Sequence, residues 1–167
     1  MPDKSLIVYY SWVGNTEAVA KEIQSQTGFD VQKIEEIRSP KPGNIMGAAM
    51  GAFFGLKSRI KPMDYQLTGY GNIFLGAQVW AGKTAPAINT YLGKASFKGK
   101  KVRLFITKAD DKVPQGVIDS ITRRIEKKGG KVIDSISFTT TIDKVIPREE
   151  IKDAIHEWLV KNGNYQK

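Results

Sequence analysis

The feature that most constrains this chain is a set of short apolar runs set apart by helix-length stretches. "SLIVYYS" (5–11), "NIFLGAQ" (72–78) and "KVRLFIT" (101–107) are nearly continuous in apolar residues. Strands buried on both faces read that way, whereas a strand with one wet face alternates. "DVQKIEEI" (30–37) does alternate, and "KVIDSISFTT" (131–140) carries Val132, Ile133, Ile136 and Phe138 as its apolar positions. Between them lie helical patterns. In "NTEAVAKEIQSQTG" (15–28) an apolar face of Val19, Ala20 and Ile23 ends at Gly28. "APAINTYLGKA" (85–95) and "PQGVIDSITRRIEKKGG" (114–130) follow, and "PREEIKDAIHEWLVKNG" (147–163) is bracketed by Pro147 and Gly163. Strands joined by helices imply right-handed crossovers and a parallel sheet covered on both sides. The expectation is an α/β chain, a three-layer α/β/α sandwich of five parallel strands and four or five helices.

No repeat or linker divides the 167 residues, so one domain over 1–167 is expected, large enough to bury about two-thirds of its unfolded surface. The exception to compact connections is residues 38–62, an insertion between the second and third strands. It places Gly47, Gly51 and Gly55 at intervals of four. On a helix these form a smooth ridge, which either packs on the chain's own sheet or offers a contact surface to a partner subunit or lipid. Lys57, Arg59 and Lys61 flank it.

Ligands of parallel α/β sheets bind beyond the carboxyl ends of the strands. The first strand leaves through "SWVGNTE" (11–17): Ser11, Asn15 and Thr16 are short and polar, Gly14 allows a tight turn, and a helix opens at once. Its unpaired amides suit a phosphate without any positive charge, the alternative being a plain helix cap by Ser or Asn. The third strand leaves through "GAQVWAGKT" (76–84), which meets the loosest nucleotide P-loop pattern. Val79 and Trp80 are bulky for a loop that must wrap bare backbone around phosphates, and no Asp ends the neighbouring "RLFIT" strand. A flat indole there suits a planar ring that stacks on it.

Together these residues resemble the flavodoxin family. Ser11-Trp12-Val13-Gly14-Asn15-Thr16 matches its first loop, and "GAQVWAGKTAPAINTYL" (76–92) is similar to the second loop of one broad subgroup, with Gln78 where proline is common. The resemblance covers essentially the whole chain and implies a sheet in the order 2-1-3-4-5, of the short-chain type. It implies flavin mononucleotide (FMN) as cofactor, with Ser11, Trp12, Val13, Gly14, Asn15 and Thr16 at the phosphate. Gln78, Val79, Trp80, Ala81 and Gly82 would line one face of the isoalloxazine, with Trp80 stacking and Lys83 on the rim. Thr107, Lys108, Ala109 and Asp110, with Asp111, would line the other side. "TKADDK" lacks the glycines or aromatic common in that third loop, and Trp12 would either cover the ribityl chain or stand exposed.

The charge departs from the family. A net charge of +9 replaces the usual acidity. Attraction over ~10 Å at an effective dielectric of 20–40 is on the order of 1 kcal/mol per uncompensated charge before salt screening. The anionic reduced flavin should therefore form more easily here, unless Asp110 and Asp111 oppose it locally. The implied function is one- or two-electron transfer between partners, with an acidic redox-partner protein. The alternatives are an FMN-dependent reductase of NAD(P)H or quinone type and a flavin-free interaction module. Nucleic-acid binding is not expected, because the rings sit at core positions. No catalytic residue is assigned, and His156 reads as a solvated helix residue. With no cysteine and one histidine no metal site is expected, and without a signal peptide or membrane-length apolar run the expected location is cytoplasmic.

Overall fold

A computed structural model describes residues 3–41, 43–44, 46–47, 49–50 and 54–163. The chain runs β1 (Lys4–Tyr9), α1 (Asn15–Thr27), β2 (Asp30–Lys33), β3 (Tyr70–Trp80) and β4 (Lys83–Thr84). It continues with α2 (Pro86–Lys94), β5 (Lys101–Lys108), α3 (Gln115–Glu126), β6 (Lys131–Thr139) and α4 (Arg148–Lys161). The sheet order is β2-β1-β3-β5-β6, all parallel, with β4 folded back antiparallel on β3. Discounting that two-residue strand, this is the 2-1-3-4-5 order expected. Strand two is shorter than its alternation suggests, because after Lys33 the chain leaves β1.

Successive residues of β1 go to opposite faces, as the period of two requires. Leu6, Val8 and Tyr10 join the core beneath α2 and α3, while Ile7 and Tyr9 join the one beneath α1 and α4. The helices answer with rows at helical spacing: Val117, Ile121 and Ile125 on α3, and Ile151, Ile155 and Leu159 on α4, all buried. Gly76 in β3 is needed for packing, since a Cβ there would run into the Phe105 ring.

The connection from β2 to β3 is pinned at its neck. Ile37 N–H donates to the Arg59 carbonyl and Lys61 N–H to the Glu35 carbonyl, each at 2.8 Å, around an antiparallel Glu36–Ile60 bridge. The glycine ridge does not run as expected. Met46, Gly47, Ala49 and Met50 are helical, but Gly55 sits in a turn at φ 63°, so no helix carries the repeat through it. Gly51 lies outside the described residues. Among the described residues of this segment Met46, Met50 and Phe54 are exposed, while Ile60 at its neck is buried in the core.

Candidate functional site

The carboxyl ends of β1, β3, β5 and β6 surround a narrow cleft of about 140 Å³. Trp12, Val13 and Asn15 line it from the first loop, Gln78, Val79, Trp80 and Ala81 from the second, and Thr107, Lys108 and Ala109 from the third. Ser11, Gly14, Thr16, Gly82 and Asp110 do not line it, although Gly82 and Asp110 border an adjoining groove. Sequence reasoning missed Thr140, Thr141 and Ile142 after β6, and Ala49 of the long connection.

The first loop is built differently from the expectation that its polar side chains face an anion. Asn15 is 2% exposed; its amide donates to the Thr141 carbonyl at 2.7 Å, and its Oδ1 accepts from Ile146 N–H at 2.7 Å. Thr16 and Thr107 are fully buried and share a hydroxyl hydrogen bond of 2.7 Å, tying α1 to the end of β5. Ser11 Oγ accepts from Gly14 N–H at 3.1 Å. None of these caps α1: the N-cap is Gly14 at φ 102°, with no side-chain hydrogen bond to the helix. The first-turn amides of Asn15, Thr16 and Glu17 have no carbonyl a turn earlier to bond, so the helix presents donors and its positive dipole end. The simple Ser or Asn cap is ruled out.

"VWAGKT" is a β-hairpin. Trp80 pairs with Lys83 and Val79 with Thr84, across a two-residue turn in which Ala81 (φ 47°) and Gly82 (φ 72°) are both left-handed. Positive φ at both central residues is the type I′ hairpin turn. A P-loop needs Gly-Lys-Thr to open a helix around a phosphate; here Lys83 and Thr84 form a strand and α2 begins only at Pro86. The nucleotide P-loop is excluded by that geometry.

Three aromatic rings build the wall. Trp12 stacks edge-on against Trp80 with centroids 5.1 Å apart, and Tyr10 does the same from behind at 6.0 Å. Trp12 is neither exposed nor loose: its Nε1 donates to the Pro40 carbonyl at 2.8 Å and its backbone N–H to Gln78 Oε1 at 3.1 Å. Gln78 thus latches the first loop to the second. Trp80 is 6% exposed and its Nε1 has no acceptor among the described residues. Tyr10 donates to Glu36 at 2.6 Å, and burial, reinforced by that carboxylate, raises its phenol well above the ordinary range.

The third loop starts later than expected, because Thr107 and Lys108 still belong to β5 and pair with Phe138 and Thr139. Lys108 is 5% exposed, and its Nζ donates to Thr139 Oγ1 at 2.9 Å and to the Asp110 carbonyl. Among the described lining residues it is the only ionisable side chain, and it has no carboxylate partner. His156 is half-buried on α4 and takes no part in the cleft. No cluster of potential metal ligands and no helix long and apolar enough to cross a membrane occurs among the described residues.

No family or curated protein matches the chain in sequence. Solved structures do match in shape. A candidate flavoprotein from Bacteroides uniformis superposes with a TM-score of 0.74 at 15% identity, over 96% of this chain and 99% of its own. A flavoprotein in complex with FMN from Lactobacillus acidophilus gives 0.67 at 22%, over 81% and 93%. Oxidised flavodoxin 2 from Bacillus cereus gives 0.59 at 20%, over 95% and 99%. Such identities establish the architecture: the chain has the flavodoxin-like fold.

Proposed function

We propose that this chain of flavodoxin-like fold binds FMN in the cleft and acts as an electron-transfer protein. The observation that carries the reading is an α1 N-terminus left without a side-chain cap beside an apolar, aromatic-walled cleft. An anionic tail fits the first and a planar ring the second. The loop from Ser11 to Thr16 would hold the phosphate through its backbone, with Ser11, Asn15 and Thr16 shaping it from within. Trp12, Val79, Trp80 and Ala81 would wall one side of the ring and Ala109 the other, with Gly82 at the rim and Asp110 in the adjoining groove. Bound flavin supplies electron acceptance and donation. The described lining offers no carboxylate or imidazole for proton transfer, which favours a carrier over acid–base chemistry.

What this chain's residues do is hold and tune. The buried Lys108 cation lies in the wall of the low-dielectric cleft, where it favours added negative charge more than a surface lysine could. The long-range field of +9 acts in the same direction and would steer an acidic redox partner at salt-dependent rates. Titrating the flavin-free chain with FMN while recording flavin fluorescence and absorbance tests the reading. Stoichiometric quenching with a perturbed visible band is expected. Spectra identical to free FMN at saturating protein would sink it.

A further inference from the structure

We propose that a second pocket, across the β3–β4 hairpin from the cleft, binds the phosphates of a pyrophosphate-bearing ligand. The pocket has a volume of about 480 Å³. Lys57 enters it from the long connection, Lys83 from the hairpin, and Arg123 and Arg124 from α3. No Asp or Glu is among its described lining residues, and none of these cations is in an ion pair there. Solvated lysines on a convex face spread apart; these converge from three segments on one concavity.

The site is also built. Asn89, 5% exposed on α2, fixes Arg124 twice, accepting from one guanidinium nitrogen at its Oδ1 (2.7 Å) and from another at its carbonyl (2.9 Å). Its own amide donates to the Leu56 carbonyl at 3.1 Å, which ties the long connection to the same hub. Arg124 is therefore oriented before any ligand arrives, with donors to spare and no counter-charge. Lys128 adds to the crowding: burial first, then the charges of Arg124 and Lys57, press its ammonium below its ordinary range. Cations forced together at a half-buried wall lose free energy that a polyanion would return.

The placement narrows the ligand. A groove lined by Val79, Ala81 and Lys108 on the cleft side, and by Gly82, Gly116 and Val117 on the pocket side, joins the two sites. A pyrophosphate held among the four cations could thus belong to a longer molecule reaching the cleft, such as a nicotinamide dinucleotide, or be free in solution. The pocket and the cleft share no lining residue, so the inference stands apart from the FMN reading.

Calorimetric titration of the purified chain with inorganic pyrophosphate and with NADPH, at roughly physiological salt, tests it. The Lys57→Gln/Arg123→Gln pair should weaken binding at least tenfold. The charge-matched pair Lys152→Gln/Lys161→Gln on α4 should change it less than twofold, and FMN titration of the same samples should be unaffected. If the first pair folds poorly, Lys83→Gln, at an exposed position of β4 beside the hairpin turn, carries the test and should weaken binding severalfold. NADPH binding more tightly than pyrophosphate assigns the dinucleotide as the source, and the reverse order assigns free pyrophosphate; both support the pocket. No heat with either probe, or equal weakening by the two charge-matched pairs, overturns it. FMN binding lost with pyrophosphate binding kept would instead overturn the cleft.

Discussion

The two ends of the cleft handle charge in opposite ways. Around the first loop no cation lines the cleft among the described residues: the helix start is uncapped, and the Asn15 and Thr16 side chains hold Thr141, Ile146 and Thr107. At the end of β5 a lysine is buried without a carboxylate. A phosphate is anionic in every redox state, so fixed dipoles suffice to hold it. A flavin ring gains charge only on reduction, so a cation beside it changes the potential as well as the affinity. With FMN bound as proposed, dipoles at one end and a full charge at the other would separate the holding of the cofactor from the setting of its driving force.

The largest expected effect comes from breaking the neutral end. Val13→Glu puts a carboxylate beside the uncapped helix start, and repulsion of about 3 kcal/mol at an effective dielectric near 20 predicts roughly 100-fold weaker FMN binding. Riboflavin, which lacks the phosphate, should bind the variant and the parent alike. Equal loss of both ligands would mean that Val13 only fills space and that the dipole assignment is wrong. Next comes the charged end. Lys108→Met should lower the two-electron potential of bound FMN by about 30–60 mV, at about 30 mV per 1.4 kcal/mol, while Lys108→Arg retains most of it. An unchanged potential would remove Lys108 from the electrostatics of the ring. The third effect separates local from global charge. Raising salt from ~10 mM to ~0.5 M collapses the reach of the +9 field and should lower the potential by only about 10–20 mV, because a buried lysine is screened little. A salt shift larger than that of Lys108→Met would make the surface field dominant.

The same two ends differ in how much the sequence reveals. The strands and helices were legible because they rest on local signals, continuous apolar runs and helical spacing, whereas their order in the sheet came only with the family resemblance. That Asn15 and Thr16 face inward was not legible, because their partners lie 126, 131 and 91 residues away. The same clamp brings Thr140–Ile142 into the cleft, and no local pattern in "TTTID" announces it. The hairpin at 79–84 was hidden by its own residues. Turns with two left-handed positions favour Asn-Gly, and here Ala81 occupies the first. The glycine spacing of the long connection misled for the converse reason: Gly55 serves a positive φ, not a helix ridge.

The smallest effect on the cofactor is expected where α1 is braced from behind. Glu22, with its side chain 3% exposed, receives Arg148 from α4 and the Gln26 amide at 2.8 Å. Burial alone would raise its pKa; the hydrogen bonds from Arg148 and Gln26 outweigh it and hold the carboxyl below the ordinary range. A depressed folded-state pKa means that ionised Glu22 contributes stability fully above the unfolded carboxylate range, and that this is lost as pH falls through the folded value. Arg148→Met should therefore lower the Tm by a few degrees at pH 7 and converge on the parent in acid, once Glu22 is protonated in both. The potential of bound FMN should not move, since the pair lies behind α1 and outside the cleft lining. A potential that shifted with this distant pair would show that α1 transmits strain to the ring, and the division between a holding end and a tuning end would fail.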